Sequence, residues 1–194
     1  MQWNNHSRDI PEGSHAFLGA SKYSWLNYDE EKVASVYRSF RVTQMGTRLH
    51  ALAAEHIELG INMPDTNKTL DKYVNDAIGF RMSPEVQLYY SDNCYGTTDA
   101  INFRNNDKGK SKKYFLRIHD LKTGVTPASL HQLEIYAALF FLEYKIRPED
   151  TEMELRIYQN DEVLIGNPKT KDIKPIMNKI ILFDKVIEKI KLEG

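Results

Sequence analysis

Asp99, Asp120 and Lys122 are the residues whose types and spacing can do chemistry, and they lie in two segments, "GTTDAI" and "IHDLKTG". Each segment reads as the end of a strand. Side chains alternate faces along a strand, so Asp120 and Lys122 project to one side while Leu121 turns away into packing. A meander returns Asp99 to the same place. Two carboxylates gathered beside an ammonium are costly to desolvate unless a cation or a reaction uses them. Two carboxylate oxygens and a backbone carbonyl are hard ligands suited to Mg²⁺, which binds through one or two carboxylates together with a phosphate. An ion held there polarises a phosphodiester and acidifies a water. Lys122, beside that water, orients it and stabilises the charge that develops in the transition state. A bare Asp-x-Lys is also an ordinary ion pair on an edge strand, so the surrounding elements have to decide.

Those elements are legible from periodicity. Asp29 can cap a helix over "EEKVASVYRSF", and apolar positions at Met45, Leu49, Leu52, Ala53 and Ile57 continue at helical spacing from Val42 to Leu59, where Gly60 supplies a stop. That second helix carries His50. "NKTLDKYVNDAIGF" is a third. The period then changes, and "EVQLYYS", "GTTDAINFR" and "KYFLRIHDLK" read as three successive strands. Pro127 suits the first turn of a helix over "ASLHQLEIYAALFFLEYKI". Two short strands, "EMELRIYQ" and "EVLIGNP", and an amphipathic helix, "KDIKPIMNKIILFDKVIEKIK", complete the chain. This order predicts an α/β sandwich around a mixed central sheet.

Composition narrows the classes. The chain has 194 residues and no Gly/Ser- or Pro-rich divider, so residues 1–194 read as one domain with residues 1–13 flexible. Lys and Arg (26) nearly balance Asp and Glu (27), so net charge is silent on a nucleic-acid partner. One cysteine, Cys94, excludes an internal disulfide, a four-cysteine zinc site and an iron–sulfur cluster held by four of the chain's own cysteines. No window approaches the ~20 apolar residues of a membrane span, and the polar start lacks a signal core. A soluble, cytoplasmic protein is expected.

"MGTRLH" on a helix, "GTTDAI", "IHDLKTG" and then "HQLEIYA" on the following helix resemble, in order and spacing, the PD-(D/E)XK nuclease superfamily in its RecB-like exonuclease branch. The resemblance covers about residues 14–190 and is nearest to the small phage RecB-like and lambda-exonuclease-type nucleases. It implies a restriction-endonuclease-like core, with His50, Asp99 and Asp120 as metal ligands assisted by the Leu121 carbonyl. Lys122 becomes the catalytic lysine. Gln132 and Tyr136 match the family's supporting Q-x-x-x-Y motif near the substrate. "FLGASKYSWL" resembles the N-terminal helix in which a serine at the place of Ser21 helps hold the DNA end, with Lys22 beside it. Lambda-type enzymes place a glutamate where His50 stands and an arginine where this chain has Ser14.

The function so implied is metal-dependent DNA exonuclease activity with Mg²⁺ or Mn²⁺ and no iron–sulfur cluster, serving phage-type recombination, replication or processing. Linear duplex or single-stranded DNA is the expected partner, with a recombination protein, a helicase or further copies of the chain as additional ones. Two alternatives stay open: a structure-specific endonuclease on the same fold, and an inactive nucleic-acid-binding or interaction module. Other residues have blander readings: Glu55 and His56 as structural or solvated, His119 as facing the layer opposite Asp120, "DKGKSKK" as a solvated hairpin tip, and Tyr89, Tyr90 and Tyr95 as strand aromatics.

Overall fold

A computed structural model describes residues 17, 18, 20–107 and 109–193. The described residues group into two compact units, divided between Met45 and Gly46. Within the first, a 3-10 helix spans Ala20–Asn27, and Phe17 packs its ring against Tyr37 and Phe40 at centroid distances of 5.0 and 5.4 Å. The expected flexible stretch 1–13 lies outside the described residues.

Helix α1 runs unbroken over Glu30–Leu59 where two helices were expected. Neither glycine nor proline separates Phe40 from Val42, and the intervening Arg41 is a good helix former, so nothing stops propagation. Asp29 caps it as anticipated: the Lys32 N–H donates to Asp29 Oδ1 at 2.7 Å. At the other end Gly60 takes φ +65°, and the Ile61 N–H donates to the His56 carbonyl. The left-handed residue ends the helix.

The second unit is built on a five-stranded mixed sheet flanked by helices. Its strands are β1 (Ser83–Ser91), β2 (Cys94–Asn105), β3 (Tyr114–Leu121), β4 (Thr151–Gln159) and β5 (Glu162–Gly166), in that spatial order. All neighbours are antiparallel except β3 and β4, which run parallel and are joined through α3 (His131–Tyr144). A parallel pair needs such a crossover. Helix α2 (Thr69–Gly79) precedes the sheet and α4 (Thr170–Glu193) follows it. Pro84 falls inside β1, which the sheet order makes an edge strand, the place where a missing N–H is tolerated.

Two cores lie on the two faces. Leu88, Ile101, Leu116, Ile118 and Leu155 pack with Leu133, Ala137 and Phe141 of α3 and Ile173 of α4. Ala100, Leu121 and Tyr158 pack on the other side with Tyr73, Val74 and Ala77 of α2 and with Ala53 and Ile57 of α1. Central strand β3 is therefore buried along nearly its whole length. Its polar residues need partners, and Arg117 has them. Its guanidinium lies 3.6 Å from the Phe80 ring centroid and pairs with Glu154 at 2.7 Å, which Arg156 also engages at 2.7 Å.

Helix α3 begins at His131, four residues after the proline expected to open it. The Gln159 side chain explains the delay. Its amide donates to the carbonyls of Gly124 and Thr126 at 2.6 and 2.8 Å and accepts from the Ala128 N–H at 3.1 Å. Backbone groups that a longer helix would use are held in a loop instead.

His119 does face the layer opposite Asp120. Its ring is fully buried among Tyr73, Phe80 and Tyr158, with neither nitrogen hydrogen-bonded. Burial, reinforced by Arg156 and Arg117, pushes its pKa well below the ordinary imidazole value. A buried polar group without a partner costs about 1–3 kcal/mol, so an apolar side chain of similar size should remove that cost. His119→Leu is expected to raise stability in urea denaturation by about 1 kcal/mol. A loss of the ordinary large-to-small core magnitude would show that the imidazole is held by a contact other than packing.

Candidate metal and phosphodiester site

The carboxylates converge at the C-terminal end of β3. Ala100 pairs with His119 in the β2–β3 ladder, which sets Asp99 across from Asp120. Asp99 Oδ2 accepts the Leu121 N–H at 2.7 Å, so the main chain of one strand orients the carboxylate of the other. Leu121 itself packs inward at 2% exposure, as alternation requires. It meets Asp99 through its N–H, and the carbonyl assigned to it by resemblance belongs to the same strand end.

Asp120 is 2% exposed. Its Oδ1 accepts from the Lys122 ammonium at 3.0 Å, while Oδ2 is buried without any hydrogen-bond partner. Burial first, and then the Asp99 charge, raise the Asp120 pKa against the opposing pull of Lys122. Lys122 also donates to Gln132 Oε1 at 2.8 Å, and the Gln132 amide donates to the Tyr136 hydroxyl at 3.3 Å. The two α3 residues, four apart and hence on one helical face, form a short chain that fixes the ammonium. Gly96 makes room for it: a Cβ there would stand 2.9 Å from Tyr136 Cε1.

His50 enters from α1, its Nδ1 3.3 Å from Asp99 Oδ1. That hydrogen bond is the largest influence raising its pKa, opposed by burial. Gly46, one helical turn earlier, permits the approach of this part of α1 to the chain after β3, because a Cβ there would meet Thr123 Oγ1 at 2.7 Å.

Glu85 is the residue that sequence reasoning missed. It lies across from Asp99, between the ladder pairs Pro84–Ala100 and Val86–Thr98, and adopts φ +49°. A left-handed conformation is uncommon for a non-glycine residue and unexpected within a strand. Ligand atoms of His50, Glu85 and Asp99 lie within 4.8 Å of one another, the one such group among the described residues, and Asp120 stands outside it. Burial and the Asp99 charge raise the Glu85 pKa, with His50 opposing. Pairing Glu85 with Asp99 across the meander is the signal that could have found it.

This donor set suits a divalent cation. Carboxylate oxygens match Mg²⁺, the added imidazole favours Mn²⁺, and a buried carboxylate oxygen lacking any partner is the kind of atom that a cation satisfies. Ser21 and Lys22 fall on the backbone of the first unit's 3-10 helix, and their side chains lie outside the described residues. His56 bonds the Ile61 carbonyl at 3.0 Å, a helix-end contact apart from the cluster. Exposed Tyr89 and Tyr95 stack as a cross-strand pair at 6.3 Å, the ordinary strand role. No helix among the described residues is long and apolar enough to cross a membrane.

No family model, curated protein or solved structure matches the chain.

A cation held here would compete with protons for these atoms, so removing one of them should act directly on ion affinity. His50→Ala and Glu85→Gln are each expected to weaken Mn²⁺ binding about tenfold or more, the scale of disturbing a metal site's ligand shell. Calorimetric titration with DNA omitted reads this. Unchanged affinity in Glu85→Gln would leave that residue a strained strand position only.

Proposed function

We propose that this chain is a divalent-cation-dependent DNA exonuclease of the RecB-like PD-(D/E)XK kind, hydrolysing phosphodiester bonds in phage-type recombination, replication or DNA processing. The observation that carries the reading is the Lys122 ammonium, suspended between Asp120 Oδ1 and Gln132 Oε1 beside a carboxylate whose other oxygen has no partner. An ordinary surface ion pair needs neither the burial nor the second acceptor. A five-stranded mixed sheet with helices on both faces is compatible with a restriction-endonuclease-like core.

His50, Glu85 and Asp99 would hold the cation, with Asp120, across from Asp99, as the further carboxylate that the family resemblance implies. When bound, the ion polarises the phosphodiester and lowers the pKa of a water. The chain's residues do the remaining work. The Leu121 N–H holds Asp99 in a fixed orientation. Lys122 orients the attacking water and stabilises negative charge developing on the phosphoryl oxygens, and its fixed position avoids reorganisation during the reaction. Gln132 and Tyr136 keep the ammonium in place. Hydrolysis breaks one phosphorus–oxygen ester bond, and water supplies the oxygen for the new phosphate terminus and the proton for the leaving hydroxyl.

Lys122→Ala and Asp120→Asn are each expected to lower cleavage by more than ~10²-fold, the scale of removing one preorganised electrostatic group. The melting temperature should change little for Lys122→Ala. Near-normal turnover in either variant at unchanged stability would remove the site assignment.

End dependence distinguishes the proposal from its nearest alternative. The wild-type protein should degrade linear duplex and leave relaxed, covalently closed circles intact. Efficient nicking of those circles would favour an endonuclease with the same residues.

A further inference from the structure

Beside Lys122 lies a cavity of about 230 Å³ that the chemistry above does not use. Leu49 of α1, Leu70 of α2 and Leu121 of β3 give it apolar walls. Thr123 and Asn160 stand with Lys122 around it. No acidic side chain lines it. Neither the Asn160 amide nor the Thr123 hydroxyl makes a hydrogen bond among the described residues, and Lys122, with three donors, has one left after Asp120 and Gln132.

The rim is held in place before any ligand arrives. Asn160 and Asp161 form the tight β4–β5 turn with φ +52° and +62°. Asp161 Oδ1 accepts from both the N–H and the hydroxyl of Thr69 at 2.7 and 3.0 Å, and Lys72 donates to the Asp161 carbonyl at 3.0 Å. These bonds pin the turn to the start of α2. Asn160, which lines the cavity, carries a side-chain amide with both donors and an acceptor.

We propose that this cavity is a nucleobase subsite, receiving the base of a nucleotide next to the phosphate being cut. The inference rests on the nuclease reading and names the part of the substrate that the site grips. Aliphatic walls suit the faces of a planar ring, and a side-chain amide suits the mixed donors and acceptors of a base edge. The cavity is smaller than the ~300–1,000 Å³ of sites that hold drug-sized ligands, which leaves room for one ring system. A base seated there places its own phosphate on the Lys122 side. The lining itself carries no carboxylate, so the base meets none on entering.

Binding tests this apart from cleavage. Fluorescence anisotropy in the presence of a chelator compares labelled linear duplexes with intact ends against duplexes in which the 5′- or 3′-terminal nucleotide is abasic. Wild-type protein is expected to bind one abasic end about tenfold more weakly, the discrimination of one good base contact. Leu70→Trp, which fills the cavity, and Asn160→Gly, which keeps the left-handed turn, should each bind intact and abasic ends alike. Thermal melting confirms folding, and if the tryptophan variant is unfolded the glycine variant carries the comparison. Equal wild-type binding of intact and abasic ends overturns the proposal, as does full discrimination retained by a folded variant. No DNA binding at all overturns it too. Discrimination without any metal-dependent cleavage removes the nuclease reading and leaves the subsite, whereas cleavage without discrimination does the reverse.

Discussion

Burying the Asp120 carboxylate at the end of the central strand is the constraint on which the rest depends. A group 2% exposed, facing a second carboxylate and satisfied at only one oxygen, is unfavourable where it stands. Structural neighbours could be arranged to relieve it. Here they are arranged to maintain it: the Leu121 N–H turns Asp99 toward the cluster, and Gln132 shares the ammonium that would otherwise neutralise Asp120 more fully. Such an arrangement is stable only because strong packing elsewhere fixes the backbone.

That packing comes from the position of β3. With α3 and α4 on one face and α1 and α2 on the other, the strand has no freedom to slip, since a one-residue shift would exchange its two faces. Leu116 and Ile118 anchor the α3 side and Leu121 the α2 side, so the parity that buries them also aims Asp120 and Lys122. Two glycines complete the fit. Gly46 lets α1 approach near His50, and Gly96 lets Tyr136 lie against β2, so both serve close approach.

The strand meander, the helix after it and the shared face of Asp120 and Lys122 were legible because they follow strict periods, two in strands and 3.6 in helices, whereas Gln132 and Tyr136 were singled out by the family resemblance alone. Features set by tertiary contact were not. The late start of α3 depends on Gln159, which comes 28 residues after His131 in the chain, and no local signal announces that the loop's backbone is engaged. Glu85 escaped for a related reason: its importance comes from cross-strand register and an unusual φ, whereas a lone glutamate at a strand's start reads as solvated. The continuity of α1 was hidden because 30–40 and 42–59 were read as separate helices, whereas propensity alone carries the helix through Arg41.

The most direct measurement of the central claim is the release of nucleotides from end-labelled linear duplex by chelator-treated wild-type protein, before and after addition of Mn²⁺ or Mg²⁺. A metal-dependent nuclease built on Asp99, Asp120 and Lys122 predicts no release with chelator and progressive release from the end once either ion is added, with Mn²⁺ at least as effective. Folded protein that releases nothing with either ion, at any DNA end, would contradict it.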